Sequence, residues 1–168
     1  MTAESGSHHA PNHTAALGDL ERRVRALEDQ DALRALMVRG WRALDRKDWR
    51  TWSDCWAEDA VLEFAPWGQT SGRENIRAKV EAAESPYASM QHHILNMHVD
   101  VEGDRATGIG YMWFVAVTTP RRASTPYSMG GPYDWEFRRD GSDWLLVRQR
   151  IRVWWTDGED TSGAFGAQ

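Results

Sequence analysis

Apolar positions divide the chain into a helical first half and a sheet-forming second half. From Leu17, the residues Leu20, Val24 and Leu27 recur at helical spacing, and after Glu28-Asp29-Gln30-Asp31 the pattern resumes with Leu33, Leu36, Met37, Trp41 and Leu44. That spacing predicts one long helix, or two joined near Asp29–Asp31, ending around Arg46. Asp48 is placed to cap a short helix whose face carries Trp49, Trp52, Cys55 and Trp56. Ala60–Ala65 reads as a short strand broken by Pro66-Trp67-Gly68. Ser71-Gly72-Arg73-Glu74 matches a capping box that opens a helix reaching about Glu84. Everything afterwards reads as sheet, in segments Gln91–Val101, Ala106–Thr118, Pro132–Arg139 and Trp144–Trp155. Glu102-Gly103-Asp104 and Asp140-Gly141-Ser142 supply hairpin turns between them. Helices followed by a meander predict an α+β domain with an antiparallel sheet. Thr119–Gly131, with its prolines, serines and paired glycines, is expected to be a long loop or lid.

The two ends are small, polar and aperiodic. Residues 1–16 are expected to be a disordered tail, its His8, His9 and His13 solvated, and residues 156–168 a flexible one, which leaves a folded domain over 17–155.

Composition narrows the function. A chain of 168 residues and 19.2 kDa suits a single core. A net charge of -5 is the wrong sign for a nucleic-acid binder. No run approaches the ~18 apolar residues of a membrane span, and no signal peptide opens the chain, so a soluble cytoplasmic protein is expected. One cysteine excludes an intrachain disulfide, and Cys55, set among tryptophans, reads as a buried, inert thiol. Ten tryptophans against four tyrosines and four phenylalanines are the anomaly. Such large rigid rings suit an apolar pocket for a small neutral ring-bearing substrate, or an oligomer interface. Trp135, Trp144, Trp154 and Trp155 put apolar residues on both sheet faces, which predicts a homo-oligomer, a dimer or trimer, burying the outer face.

Most motif tests fail. Gly108-Ile109-Gly110 lacks a third glycine and opens no helix, and neither a phosphate loop nor a Gly-x-Ser-x-Gly elbow is present. On one strand His92 and His93 point to opposite faces, while His92 and His98 share a face ~20 Å apart at ~3.3 Å per residue, so no metal and no cofactor is expected. Two ionisable residues sit awkwardly. Asp45 lies at a helix end where an anion opposes the macrodipole. Either His92 or His93 faces the core, and alternation leaves this open, because Leu95, Met97, Val99 and Val101 share the face of His93.

Ala43-Leu44-Asp45-Arg46-Lys47-Asp48-Trp49, Trp56-Ala57-Glu58-Asp59-Ala60 and Gly72-Arg73-Glu74-Asn75-Ile76 occur in order. They are followed by His92-His93-Ile94-Leu95-Asn96, Gly103-Asp104-Arg105-Ala106, and Tyr133 through Arg138-Arg139-Asp140-Gly141 with Trp144 and the Arg148/Arg150 strand. In this order and spacing the segments, from about Leu27 to Trp155, resemble the SnoaL-like branch of the nuclear transport factor 2-like superfamily. Within that branch they are similar to enzymes of the scytalone dehydratase, lindane dehydrochlorinase and bile-acid 7α-dehydratase type. The resemblance implies a cone-shaped α+β barrel, with N-terminal helices packed into a strongly bent antiparallel sheet around an apolar pocket. It implies a catalytic pair at Asp45 and His92, settling His92 over His93 by register. A neutral imidazole takes a proton from carbon, and the carboxylate holds its tautomer and balances the imidazolium. The expected activity is a cofactor-free lyase of dehydratase or dehydrohalogenase type. The alternatives are an isomerase or cyclase of a polyketide- or steroid-like ring, and a non-catalytic ligand-binding member. Departures stand out: Gly40 occupies the place of the dehydrochlorinase lysine, and Gln149 or Arg148 that of its arginine. Leu44 and Phe64 fall where the scytalone dehydratase has tyrosines, and Thr118 near its second histidine. The candidates for substrate contact are Trp41, Phe64, Trp67, Asn96, Trp113, Thr118, Tyr127, Tyr133 and Gln149.

Overall fold

In a computed structural model of the chain, which describes residues 13–118, 126–160 and 162–165, helix α1 runs unbroken over His13–Asp45. It therefore begins inside the segment expected to be disordered, whose residues 1–12 lie outside the described residues. The acidic cluster does not divide it, because Asp29 is bridged to the sheet. Its carboxylate accepts from Arg139 Nη2 at 2.7 Å and from Trp144 Nε1 at 3.2 Å. The second half of α1 buries Leu33, Leu36, Met37, Trp41 and Leu44 at helical spacing, as expected, whereas Leu17, Leu20, Val24 and Leu27 stay exposed.

The helix stops in a Schellman arrangement. Asp48 N–H returns to Ala43 O at 2.9 Å and Lys47 N–H to Leu44 O at 2.8 Å, with Lys47 left-handed at φ 61° where glycine is usual. Its ammonium donates to the carbonyls of Ser85 and Tyr87 at 2.9 and 2.6 Å, which fixes the strained residue and ties the end of α1 to the end of α3 (Arg73–Glu84). Asp48 then caps α2, Trp49–Ser53, by accepting from Thr51 N–H at 3.1 Å.

Strand β1 spans Trp56–Phe64, beginning earlier than the apolar run suggested, and turns into a short edge strand β2, Gly68–Ser71. Ser71 is still paired with Val61, so it is not available to cap a helix. The expected capping box does not form: Gly72, at φ 89°, is the N-cap of α3, and Glu74 pairs with Arg77 instead. Ile76, Val80, Ala83 and Glu84 form the buried stripe of α3.

Four long strands follow: β3 Ser89–Glu102, β4 Arg105–Val117, β5 Tyr127–Asp140 and β6 Asp143–Ile151. Gly103 and Gly141 turn the hairpins with φ 60° and 61°. Strand order is β2-β1-β6-β5-β4-β3. The sheet is curved but not closed, and mixed rather than wholly antiparallel, because β1 docks parallel to β6. The expected strand Trp144–Trp155 is interrupted: Arg152–Trp154 crosses so close to β5 that any Cβ on Gly131 would collide with Arg152 O, and β7 resumes at Trp155–Asp157. Tyr127–Gly131 is strand rather than loop, and residues 119–125 of the expected lid lie outside the described residues.

Faces of the sheet are set by one irregularity. Between Leu95 and His98 strand β3 carries an extra residue, with Asn96 at φ 53°. Before the bulge Met90 and His92 face inward, and after it Val99 does, so His98 turns outward to Asp100 and no longer shares a face with His92. Alternation along β4 is regular, with Met112, Phe114 and Ala116 inside and Ile109, Tyr111 and Trp113 outside. Inside, a Cβ on Gly110 would lie 2.8 Å from the Trp135 ring, so glycine lets the sheet bend over that indole. Trp135 and Trp144 are buried, and Trp154 and Trp155 are the exposed indoles of the four that suggested an outer interface.

Candidate active site

The end of α1, the end of α3 and the start of β3 converge on one imidazole. Asp45 is the last residue of α1, and its Oδ1 accepts from both His92 Nδ1–H at 2.8 Å and His92 N–H at 2.9 Å. With Nδ1 so engaged, Nε2 is the free end of the ring, and it lies 3.4 Å from Glu84 Oε1. The His92 and Glu84 side chains are each 6% exposed. Phe114, the register partner of His92 on β4, covers the ring at 4.7 Å. His93 faces the other way, against exposed Trp113 at 5.5 Å.

Burial pushes the His92 pKa down, but the charges of Glu84 and Asp45 outweigh it and hold the imidazole up at about 9. Held that high, the ring favours the imidazolium at neutral pH rather than the neutral base that the unperturbed histidine pKa suggests. Glu84 carries no sequence motif. The one signal was its position four residues after Val80 on the buried stripe of α3, where an ionised side chain needs a reason. Its Oε2 has no hydrogen-bond partner among the described residues, nor does the buried Nε1 of Trp52.

Glu84, His92 and Trp52 border a largely apolar cavity of about 40 Å³. Of the nine expected contact residues, Trp41, Phe64, Trp67, Tyr133 and Gln149 line it. Trp41 Nε1–H donates to Tyr133 Oη at 3.3 Å, and Trp135 Nε1–H to Gln149 Oε1 at 2.8 Å, so both polar side chains are oriented. Burial holds the Tyr133 phenol above its usual range. Gln149, not Arg148, faces inward. Arg148 lies outside, paired with Glu63 and Glu136. The other four lie elsewhere. Asn96 is exposed in the bulge, and Trp113 is on the outer face, because the regular alternation of β4 points it away from Phe114. Thr118 is exposed beyond the end of β4. Tyr127 is buried but separated from the cavity by Phe165.

Phe165 explains the small volume, which holds a few waters against the roughly 300–1,000 Å³ of small-molecule pockets. Within the segment expected to be a flexible tail, the described residues 162–165 pack against the cavity. Phe165 lies parallel to Tyr87 and Tyr127 at centroid distances of 6.1 and 6.0 Å and stacks on Trp67 at 5.7 Å. The segment is latched by Trp67 Nε1–H to Ala164 O at 2.8 Å, Tyr87 O–H to Asp160 at 2.7 Å, and Phe165 N–H to Asp160 at 2.7 Å. A single aromatic in a Gly-rich polar stretch gave too weak a pattern to predict this.

A bent open sheet around helices, with a buried acid–histidine–acid cluster at the head of an apolar cavity, is the cystatin-like, or nuclear transport factor 2-like, α+β architecture. The chain belongs to the SnoaL-like domain family, whose match covers residues 25–150. Comparison with curated proteins finds no match. Among solved structures, an NTF2-like protein with a cystatin-like fold from Novosphingobium aromaticivorans is 27% identical, covering 89% of this chain and 96% of that one, with a TM-score of 0.72. A candidate scytalone dehydratase from the same organism is 20% identical over 78% of this chain and 87% of that one, TM-score 0.71. The type 3 hexachlorocyclohexane dehydrochlorinase of Novosphingobium barchaimii is 18% identical over 85% and 95%, TM-score 0.69. No described helix is long and apolar enough to cross a membrane.

Proposed function

We propose that the protein is a cofactor-free lyase that removes water, or hydrogen halide, from a small apolar ring-bearing substrate. The observation that carries this reading is His92, buried in contact with both Asp45 and Glu84 beside an apolar cavity. In the resting site the proton count favours imidazolium and carboxylate. When an apolar substrate fills the cavity, desolvation disfavours that charge pair, and the Nε2 proton passes to Glu84 across the 3.4 Å contact. Neutral His92 Nε2 then takes a proton from the substrate carbon. The C–H electron pair forms the new double bond, and the leaving group departs from the adjacent carbon with its own pair. Glu84, now a carboxylic acid, protonates the leaving oxygen as its bond to carbon breaks; a halide leaves as the anion, and the Glu84 proton is then released to solvent. The site returns to imidazolium and carboxylate. Asp45 holds Nδ1–H and the ring orientation throughout. Trp41, Phe64, Trp67, Tyr133 and Gln149 form the substrate wall.

By the resemblance, Gly40 and Gln149 fall at the places of the dehydrochlorinase lysine and arginine, and a Cβ at Gly40 would press on Cys55 Sγ at 3.1 Å. That favours loss of water over loss of halide. The homo-oligomer remains part of the reading, supported by Leu95, Ile109, Tyr111 and Trp113 exposed together on the outer face of β3 and β4.

The test is a mass-spectrometric screen of neutral cyclic alcohols, ketols and halides for elimination products, run beside Glu84→Gln. The amide keeps the shape of Glu84 but cannot take up the proton, so turnover should fall by about 10²-fold. A folded Glu84→Gln protein with unchanged turnover removes the relay, and a screen without any product removes the lyase.

A further inference from the structure

The first half of α1 carries an apolar stripe that the domain does not use. Leu17, Leu20, Val24 and Leu27 are 60, 53, 45 and 65% exposed. At about 100° per residue they lie about 150° around the helix from Leu33, Leu36, Met37, Gly40, Trp41 and Leu44, which face the core. The two stripes therefore point in nearly opposite directions. The side of this half-helix that turns towards its own domain is largely polar: Arg22, Arg25 and Asp29, flanked by Glu21 and Glu28, border a groove with Asp104 and Arg139.

Spacing of the exposed stripe is 3-4-3, which places Leu17 and Val24 at a positions and Leu20 and Leu27 at d positions of two heptads. That register makes Arg23 a g residue and Glu28 the following e residue. Among the described residues neither forms an ion pair within the chain, whereas Asp19 and Arg22, off the seam, pair with each other at 2.9 Å. Parallel pairing with a second copy sets Arg23 against Glu28 of that copy, twice by symmetry. Antiparallel pairing sets the e residues Glu21 and Glu28 against each other. The outer part of the helix needs no nucleation of its own, because it continues a helix already anchored in the core. Asp31, at the next a position, ends the seam.

From these placements we infer that the projecting half of α1, residues 13–28, is a self-association surface that pairs in parallel with the same segment of a second copy of this chain. The contact is separate from the outer face of β3 and β4 and does not depend on the proposed chemistry.

Sedimentation velocity of the full chain over micromolar concentrations tests it. Leu20→Lys/Leu27→Lys should lower the sedimenting mass, weakening association by more than about a hundredfold. Circular dichroism at concentrations where both proteins are monomeric should meanwhile show an unchanged melting transition, because in the single chain both side chains are exposed. Arg23→Glu should weaken association about tenfold, and Arg23→Glu/Glu28→Arg should restore it. Leu17→Cys, oxidised mildly, should give a covalent dimer, since parallel pairing brings the two positions together and antiparallel pairing sets each against Leu27. Cys55 is buried and does not compete. A mass unaffected by the double lysine variant, failure of the charge swap to restore association, or an uncrosslinked Leu17→Cys protein overturns the inference.

Discussion

His92 and His93 are neighbours on one strand with opposite surroundings. On the inner face His92 meets two carboxylates and the Phe114 ring, out of water. On the outer face His93 rests on Trp113, itself 46% exposed. The contrast teaches that the surroundings of each imidazole are set by where the ends of α1 and α3 meet the start of β3, not by the residue type. The imidazole beside two buried acids is held towards its charged form, whereas the half-buried ring of His93 has an indole for its neighbour.

The sharpest way to break the comparison is His92→Ala, which should cut turnover by at least about 10²-fold while the protein stays folded. Melting temperature and turnover measured on the same sample separate loss of chemistry from loss of fold. Near-normal turnover in folded protein would end the mechanism.

Next in size is the plug on the inner side. Phe165→Ala removes the ring held between Tyr87 and Tyr127 and opens the cavity. Tryptophan quenching by naphthol-like compounds should then saturate at about tenfold lower concentration, while stability drops by about 2–3 kcal/mol. Weaker quenching would make Phe165 part of the ligand wall rather than its competitor.

A smaller effect is written in pH. Folded His92 keeps its proton to about pH 9, while an unfolded histidine loses it near 6.5. Its contribution to stability is therefore complete below about pH 6.5 and is lost as pH rises through 9. The melting temperature of the wild type should fall across that window and that of His92→Gln should not share the slope. Parallel curves would show that the ring is not the titrating group.

Smallest of all is His93→Ala. It should change turnover by less than about twofold and stability by about 0.5 kcal/mol or less. A large loss would mean that the outer face takes part after all.

How far the site could be read from sequence follows the same division. Helical periodicity marked the buried half of α1, and resemblance pointed to Asp45 and His92, which the fold brings to 2.8 Å. The hairpin glycines were legible because a two-residue turn demands left-handed backbone. Glu84 was not, since a single acid on a helix stripe gains meaning only once that helix end is known to abut β3. Parallel docking of β1 on β6 was invisible for a similar reason: partner choice between distant strands leaves no local pattern. Periodicity even misled at Leu17–Leu27, where correct helical spacing concealed a change of face.

The bulge at Asn96 has a consequence for how this hairpin can vary. His92 and Val99 are seven residues apart, an odd interval, yet both point inward, because one residue between Leu95 and His98 is uncounted by the partner strand. The strand thus carries a parity bit. Substitutions around Asn96 leave it intact, but removing one residue there flips it, sending Val99 and Val101 into solvent and pulling His98 and Asp100 into the core. Inheritable length changes in this segment must therefore come in twos, and the loop-like freedom suggested by its exposed side chains does not extend to its length.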